Sequence, residues 1–270
     1  MGFFGRAHVW RAIIFVCAIF ACLVRFGSAA ELTAGTPDPV ERSVASGRSN
    51  EPFGLFASLL SEGGLQEKWL GVERRLDDER VQLALCDGDR ERCVSPAALQ
   101  LLAIVDTARA REGRARLGEI NRAINLAIRP MSDLAQYGQI DVWSSPLVTF
   151  AHGAGDCEDY AIAKYVALRL AGVEADDLRL VVMHDSIRGE DHAVAAARLD
   201  GHWLTLDNNR MAMVEDVNVR NYRPLFVLDE RGAMRYIDAP LLAEVPDPAP
   251  ALVALNLAGQ PMTASSFHQD

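Results

Sequence analysis

The 270-residue sequence has no glycine-rich phosphate loop, no stripe of basic residues interleaved with aromatics, and no internal repeat. These absences exclude a P-loop nucleotide enzyme, argue against a nucleic-acid grip, and rule out a repeat array. Positive charge is in deficit. Lys and Arg total 27 against 37 Asp and Glu, a formal charge of −10. Such a chain repels nucleic acid and anionic lipid surfaces, but it can hold a cation where its acids cluster. Cysteine is scarce as well, with five in the whole chain. The apolar run over 12–24 is too short to span a bilayer comfortably, and Arg25 follows it at once.

That run has the setting of a secretory leader. Arg6 and Arg11 precede it, and Ser28-Ala29-Ala30 follows as a signal-peptidase pattern, so cleavage is expected before Glu31 and the mature chain is expected in the periplasm, without membrane insertion. A retained N-terminal anchor is the alternative. A lipoprotein modified at Cys22 fits less well, because Phe20 sits badly in that motif. Residues 1–30 carry Arg6, Arg11 and Arg25 and no acid, so the mature chain keeps 27 − 3 = 24 basic residues against 37 acidic ones, a net of −13.

The expected organisation is a signal peptide (1–30), a flexible linker rich in Pro, Gly, Ser and Thr (31–54), one domain (55–238) and a Pro-rich disordered tail (239–270). Helical spacing marks 65–85, a helix opened by Ser95-Pro96 and running towards Arg111, and 117–128, which Pro130 ends. A further helix is expected from Cys157 to Ala171, closed by Gly172. Strands are expected over 178–183, 193–199, 203–206 and 224–228, with Asp200-Gly201 as a two-residue hairpin turn.

Loss of the leader leaves three cysteines. Cys86 and Cys93 bracket a short polar loop and are expected to form a local disulfide in an oxidising compartment. Cys157 is then unpaired, and is either a buried inert thiol or one kept free for chemistry. At the first turn of a helix capped by Asp156, it has a dipole and free N–H groups that favour a thiolate and receive an oxyanion.

Register supplies partners for it. With Asp200-Gly201 as the turn, residues whose numbers sum to 401 pair, which makes His192 and Asp207 diagonal neighbours on one face. A cysteine, a histidine and an aspartate in this relation form a triad plan; singly, His192 and Asp207 also read as strand-end residues. Asp156, Glu158 and Asp159 crowd the thiol and oppose its ionisation. They read as ordinary helix-capping acids or as ligands of a divalent cation, for which calcium fits best. His152, His184 and His202 read as surface residues. A zinc site from Cys157, His184 and His192 lacks a recognised spacing, and Trp143 reads as core or as a cleft wall.

The stretch from Gly155 to Tyr165 (GDCEDYAIAKY) resembles the signature of the bacterial transglutaminase-like cysteine proteinases of the LapG type. The resemblance extends to Asn121, Asn125, Asp133, the 141–147 segment, 178–180, 192–194 and 206–208, and covers roughly 60–235. It implies an α+β, papain/transglutaminase-like fold, with N-terminal helices and the nucleophile helix packed on an antiparallel sheet. It also implies Cys157, His192 and Asp207 as the triad, and calcium held by Asp156 and Glu158. The implied partners are a protein substrate such as a large surface adhesin, whose cleavage releases cells from a biofilm, and an inner-membrane receptor that senses cyclic-di-GMP. Members commonly carry Thr-Pro-Leu-Glu where this chain has Ser145-Pro146-Leu147-Val148, so one carboxylate near the cleft is missing. The same triad also permits amide transfer or hydrolysis of a cell-wall peptide, and the fold permits a catalytically silent binding module.

Overall fold

The computed structural model describes residues 49–242, so the expected signal peptide and most of the expected linker and tail lie outside the described residues. Helices dominate the first half: α1 (Gly64–Gly88), α2 (Pro96–Arg109), α3 (Gly113–Ala127), α4 (Asp133–Tyr137), α5 (Pro146–His152) and α6 (Cys157–Leu170). The strands are β1 (Ala57–Leu59), β2 (Arg129–Pro130), β3 (Ala154–Gly155), β4 (Leu178–Asp185), β5 (Glu190–Leu199), β6 (His202–Leu206), β7 (Val214–Glu215), β8 (Tyr222–Asp229) and β9 (Gly232–Tyr236). Seven of them form an antiparallel sheet in the order β1-β9-β8-β4-β5-β6-β7. The α+β expectation therefore holds. Among the described residues no helix is long and apolar enough to cross a membrane.

Local chemistry accounts for the main boundaries. Ser95 Oγ accepts the Ala98 amide at 3.2 Å and Pro96 occupies the first turn, so α2 starts where expected. Past α6, Gly172 takes φ 88°, and the Val173 amide returns to the Leu168 carbonyl at 3.0 Å, which closes the helix. The β5–β6 hairpin runs from Leu199↔His202 to Ala195↔Leu206, each pair summing to 401. Its turn has φ 52° at Asp200 and 82° at Gly201, the left-handed pair that this hairpin requires. Strands β1, β2, β3, β7 and β9 were not anticipated; all but β9 are only two or three residues long and carry little period of their own.

Each face of the sheet has its own cover. On one side Leu101, Leu102, Ile120, Ile124, Ile162 and Leu168 from α2, α3 and α6 form the main core. Ala193, Ala195 and Ala197 of β5 belong to that core, and their small side chains let α6 lie close to the strand. On the other side Phe53, Leu55 and Ala57 pack on a second cluster around Val181, Val194 and Trp203.

That packing corrects the expected linker boundary of 31–54, because residues 49–54 are docked rather than free. The Glu51 carboxylate meets Arg179 Nε at 2.6 Å and Arg231 at 3.0 Å, and the Phe53 amide donates to Asp216 at 2.6 Å. Burial alone would raise the Glu51 carboxyl, but the two guanidiniums hold it below its ordinary range. Pro52 and Gly54 shape a single turn here rather than a tether. The expected tail is likewise docked at its start, where the Leu242 amide donates to the Tyr222 carbonyl at 2.8 Å.

Cys86 and Cys93 are joined, as expected, and tie the end of α1 to the loop before α2. The closed loop is short, so the Cys86→Ser/Cys93→Ser double variant is expected to lose about 2–3 kcal/mol of stability. A urea titration beside the parent checks this; coincident midpoints would count against it.

Candidate active site

Cys157 is the first residue of α6, and the Asp156 carbonyl already accepts the Tyr160 amide at 3.2 Å. The expected role of Asp156 as a side-chain cap is corrected: its carboxylate makes no capping bond. It lies instead beside the carboxylate of Glu158. The thiol is half-buried rather than exposed, and Sγ–H donates to Glu158 Oε2 at 3.2 Å. Burial pushes the thiol far up, the Glu158 charge pushes it further, and the Ala193 backbone amide pulls the other way.

His192 and Asp207 meet as the register required. Nε2 of His192 lies 2.9 Å from Asp207 Oδ1, and both side chains are buried. The Asn209 amide donates to the same oxygen at 2.9 Å. Burial would raise the Asp207 carboxyl, but His192 holds it below the ordinary carboxylate range. The ring of Tyr222 stacks on His192 with centroids 6.0 Å apart and an interplanar angle of 30°. Tyr222 pairs with Asp185 of β4, beyond a register shift in the β4–β8 pairing between Val182 and Met183. No local signal in the sequence marks Tyr222 as a site residue.

A third acid joins the two expected metal ligands. One carboxylate oxygen from each of Asp133, Asp156 and Glu158 lies within 4.8 Å of the others. Asp133 stands beside Asp156 and Glu158 because β2 and β3 pair in parallel, with the Met131 amide donating to the Gly155 carbonyl at 2.9 Å. Its Oδ2 accepts the Val142 amide, whereas Asp133 Oδ1 and Asp156 Oδ1 are buried without a partner. Burial raises the carboxyls of Asp133, Asp156 and Glu158; the Asp133 charge adds to it at Asp156, and the Asp156 charge adds to it at Glu158. An all-oxygen, acid-rich donor set with unpartnered oxygens suits a hard divalent cation. No histidine or cysteine joins such a cluster among the described residues.

Asp159 has a different task from its neighbours. It is wholly buried, its Oδ1 accepts the Ser144 amide at 2.8 Å, and burial pushes its carboxyl up to about 7. Gly155 makes room for it, since a Cβ there would sit 2.6 Å from Asp159 Oδ2. Gly155→Ala is therefore expected to destabilise the fold by about 1–3 kcal/mol, the usual range for overpacking. Thermal melting checks this, and an unchanged midpoint would contradict it.

The surrounding cleft has a volume of about 1240 Å³ and is lined by Cys157, His192, Trp143, Leu65, Val182 and Phe226 among others. Trp143 thus serves as a wall of the cleft. Glu79 of α1 accepts Ser145 Oγ at 2.5 Å and the Leu147 amide at 3.1 Å, at the start of α5. Of the other described histidines, His184 meets Asp191 of the cleft wall at 2.9 Å, and His152 meets Gln136 at 3.0 Å.

The family model of the bacterial transglutaminase-like cysteine proteinases (BTLCP) matches residues 82–231, more than half of the chain. No curated protein sequence matches. Among solved structures, calcium-bound LapG of Legionella pneumophila is 23% identical, with TM-score 0.46 over 52% of this chain and 77% of that one. The EGTA-treated form of the same protein is 21% identical, with TM-score 0.48 over 58% and 84%.

Proposed function

Because the chain belongs to the bacterial transglutaminase-like cysteine proteinases, and is thus a cysteine peptidase, we propose that it is a calcium-dependent periplasmic endopeptidase with Cys157, His192 and Asp207 as its triad. The observation that carries this reading is the 2.9 Å His192–Asp207 bond in the cleft where the unpaired thiol begins α6.

Cys157 Sγ attacks the scissile carbonyl carbon while His192 takes the thiol proton. With Nε2 committed to Asp207, Nδ1 is the nitrogen that serves the cysteine. The tetrahedral intermediate collapses, the C–N bond breaks, and His192 returns the proton to the leaving amine. Water, deprotonated by the same imidazole, then attacks the thioester and frees the acid and the thiol. Asp207 stays ionised and orients the ring, and Tyr222 restrains it from the side. Asp133, Asp156 and Glu158 would hold calcium, whose charge offsets the acids that otherwise oppose thiolate formation.

The proposed substrate is a protein outside the inner membrane, such as a large surface adhesin, under the control of an inner-membrane receptor sensing cyclic-di-GMP. The disulfide suits the oxidising compartment this requires. The test is incubation of the protein and of its Cys157→Ala variant with such an adhesin and a primary amine donor. Cysteine-dependent fragments support the peptidase. Amine incorporation without fragments would assign an acyl transferase, and neither product would return the chain to a binding role.

A further inference from the structure

One charged side chain near the site has no task in the mechanism above. Lys164 is wholly buried on α6, about two helical turns from Cys157. Burying an ammonium is costly unless it is paired, and a methionine of similar length would fill the same space without that cost. The position of its Nζ explains its presence. It donates to the Leu206 carbonyl at 3.1 Å, at the last residue of β6 and directly before Asp207.

The chain beyond is held in the same way. Asn125 Nδ2 of α3 donates to the Asp207 carbonyl at 2.9 Å and to the Arg210 carbonyl at 3.1 Å. Asn121 Nδ2 donates to the Arg210 and Met211 carbonyls at 3.0 and 3.1 Å. Helix-borne donors therefore grip the backbone on both sides of the Asp207 side chain. Only one of them is a cation.

We infer that Lys164 is a positioning residue for the Asp207–His192 pair: it anchors the Leu206 carbonyl and sets a buried cation behind the Asp207 carboxylate, keeping that carboxylate ionised and aimed at His192. The inference rests on the triad reading above. The titratable groups around Lys164 are Tyr160 of its own helix, whose ring centroid is 5.8 Å from Nζ, and Asp207, with His192 bonded beyond it. Helix α3 offers only neutral asparagines, and the half-exposed Arg210 lies 3.9 Å from Asp207 Oδ2. Burial pulls the Lys164 ammonium down to about 7, and the Asp207 charge opposes that pull.

The test uses the full chain with Lys164→Met and Lys164→Gln, the second keeping a donor for Leu206 but not the charge. One readout is the downfield proton NMR resonance of the imidazole N–H between His192 and Asp207, assigned by its loss in Asp207→Ala. The other is the rate at which iodoacetamide alkylates Cys157. Both variants are expected to lose or shift the resonance and to slow alkylation about ten-fold, part of what a well-placed base supplies. Lys164→Gln decides the question alone if the methionine variant does not fold. An unchanged resonance and rate in folded Lys164→Gln overturns the positioning role. A parent thiol no faster than free cysteine, with a resonance that still responds to Lys164, would instead sink the triad reading and leave the positioning role standing.

Discussion

Cys157→Ala is expected to remove at least about 10⁴-fold of the cleavage rate while leaving the fold intact, because the acyl-enzyme route has no other nucleophile. Its effect on stability is expected to stay within about 1 kcal/mol, since the thiol is half-buried and its one described side-chain partner is Glu158. His192→Ala should cost nearly as much activity. The informative measurement is the double variant, Cys157→Ala with His192→Ala. Groups that act as one unit are not additive, so the double variant should be no slower than either single one. Losses that multiply would mean that His192 acts outside the triad. Circular dichroism and melting of each variant separate loss of chemistry from loss of fold.

Calcium removal is the second large effect. Without a cation, Asp156 is half-buried and Glu158 buried; burial raises both carboxyls, the Asp133 charge raises Asp156 further, and the Asp156 charge raises Glu158 further. A raised folded-state value means that the native state binds the proton more tightly than the unfolded chain does. Stability from these groups is therefore present below the ordinary carboxylate range and is lost as pH rises through the raised values. Bound calcium is expected to displace those protons and reverse the trend. EGTA is expected to lower the melting temperature by roughly 5 °C or more, on the scale of a ligand held far above its Kd. The gap between calcium and EGTA should widen from pH 5 to pH 8. The thiol should respond too, since its excess burden comes from burial and then from Glu158. Iodoacetamide alkylation at neutral pH is expected to slow about ten-fold or more in EGTA, one pKa unit being worth that factor. Magnesium should not substitute, because it demands a tighter and more regular shell. Asp133→Asn should weaken calcium binding by calorimetry with the fold kept. Matching melting curves in calcium and EGTA across that pH range would remove the metal from the proposal.

Legibility of the site followed the range of the interactions involved. Cys157 at a helix start, the Cys86–Cys93 tie and the Asp200-Gly201 turn are set by residues a few positions apart, and each is where the sequence placed it. The His192–Asp207 contact was legible for the same reason: a two-residue turn transmits its register along both strands, and side-chain alternation does the rest. The docked segment 49–54 was not, because a stretch rich in Pro and Gly reads as loop wherever it packs.

By itself, then, the sequence determined the helix that presents the thiol, the hairpin that pairs its histidine with its aspartate, and the acids that crowd it. Only the tertiary structure brought in Asp133 from a parallel strand pair, Tyr222 from across a bulge, Glu79 from α1 and Lys164 behind Asp207. Three of those four reach the site through contacts between segments far apart in the chain, and Lys164 shares the helix of Cys157 but is read only when β6 lies beside it. Spacing along one strand or helix carries no information about such approaches. Packing decides them, because a buried carbonyl, ring or carboxylate must find its partner in whichever element the core sets next to it.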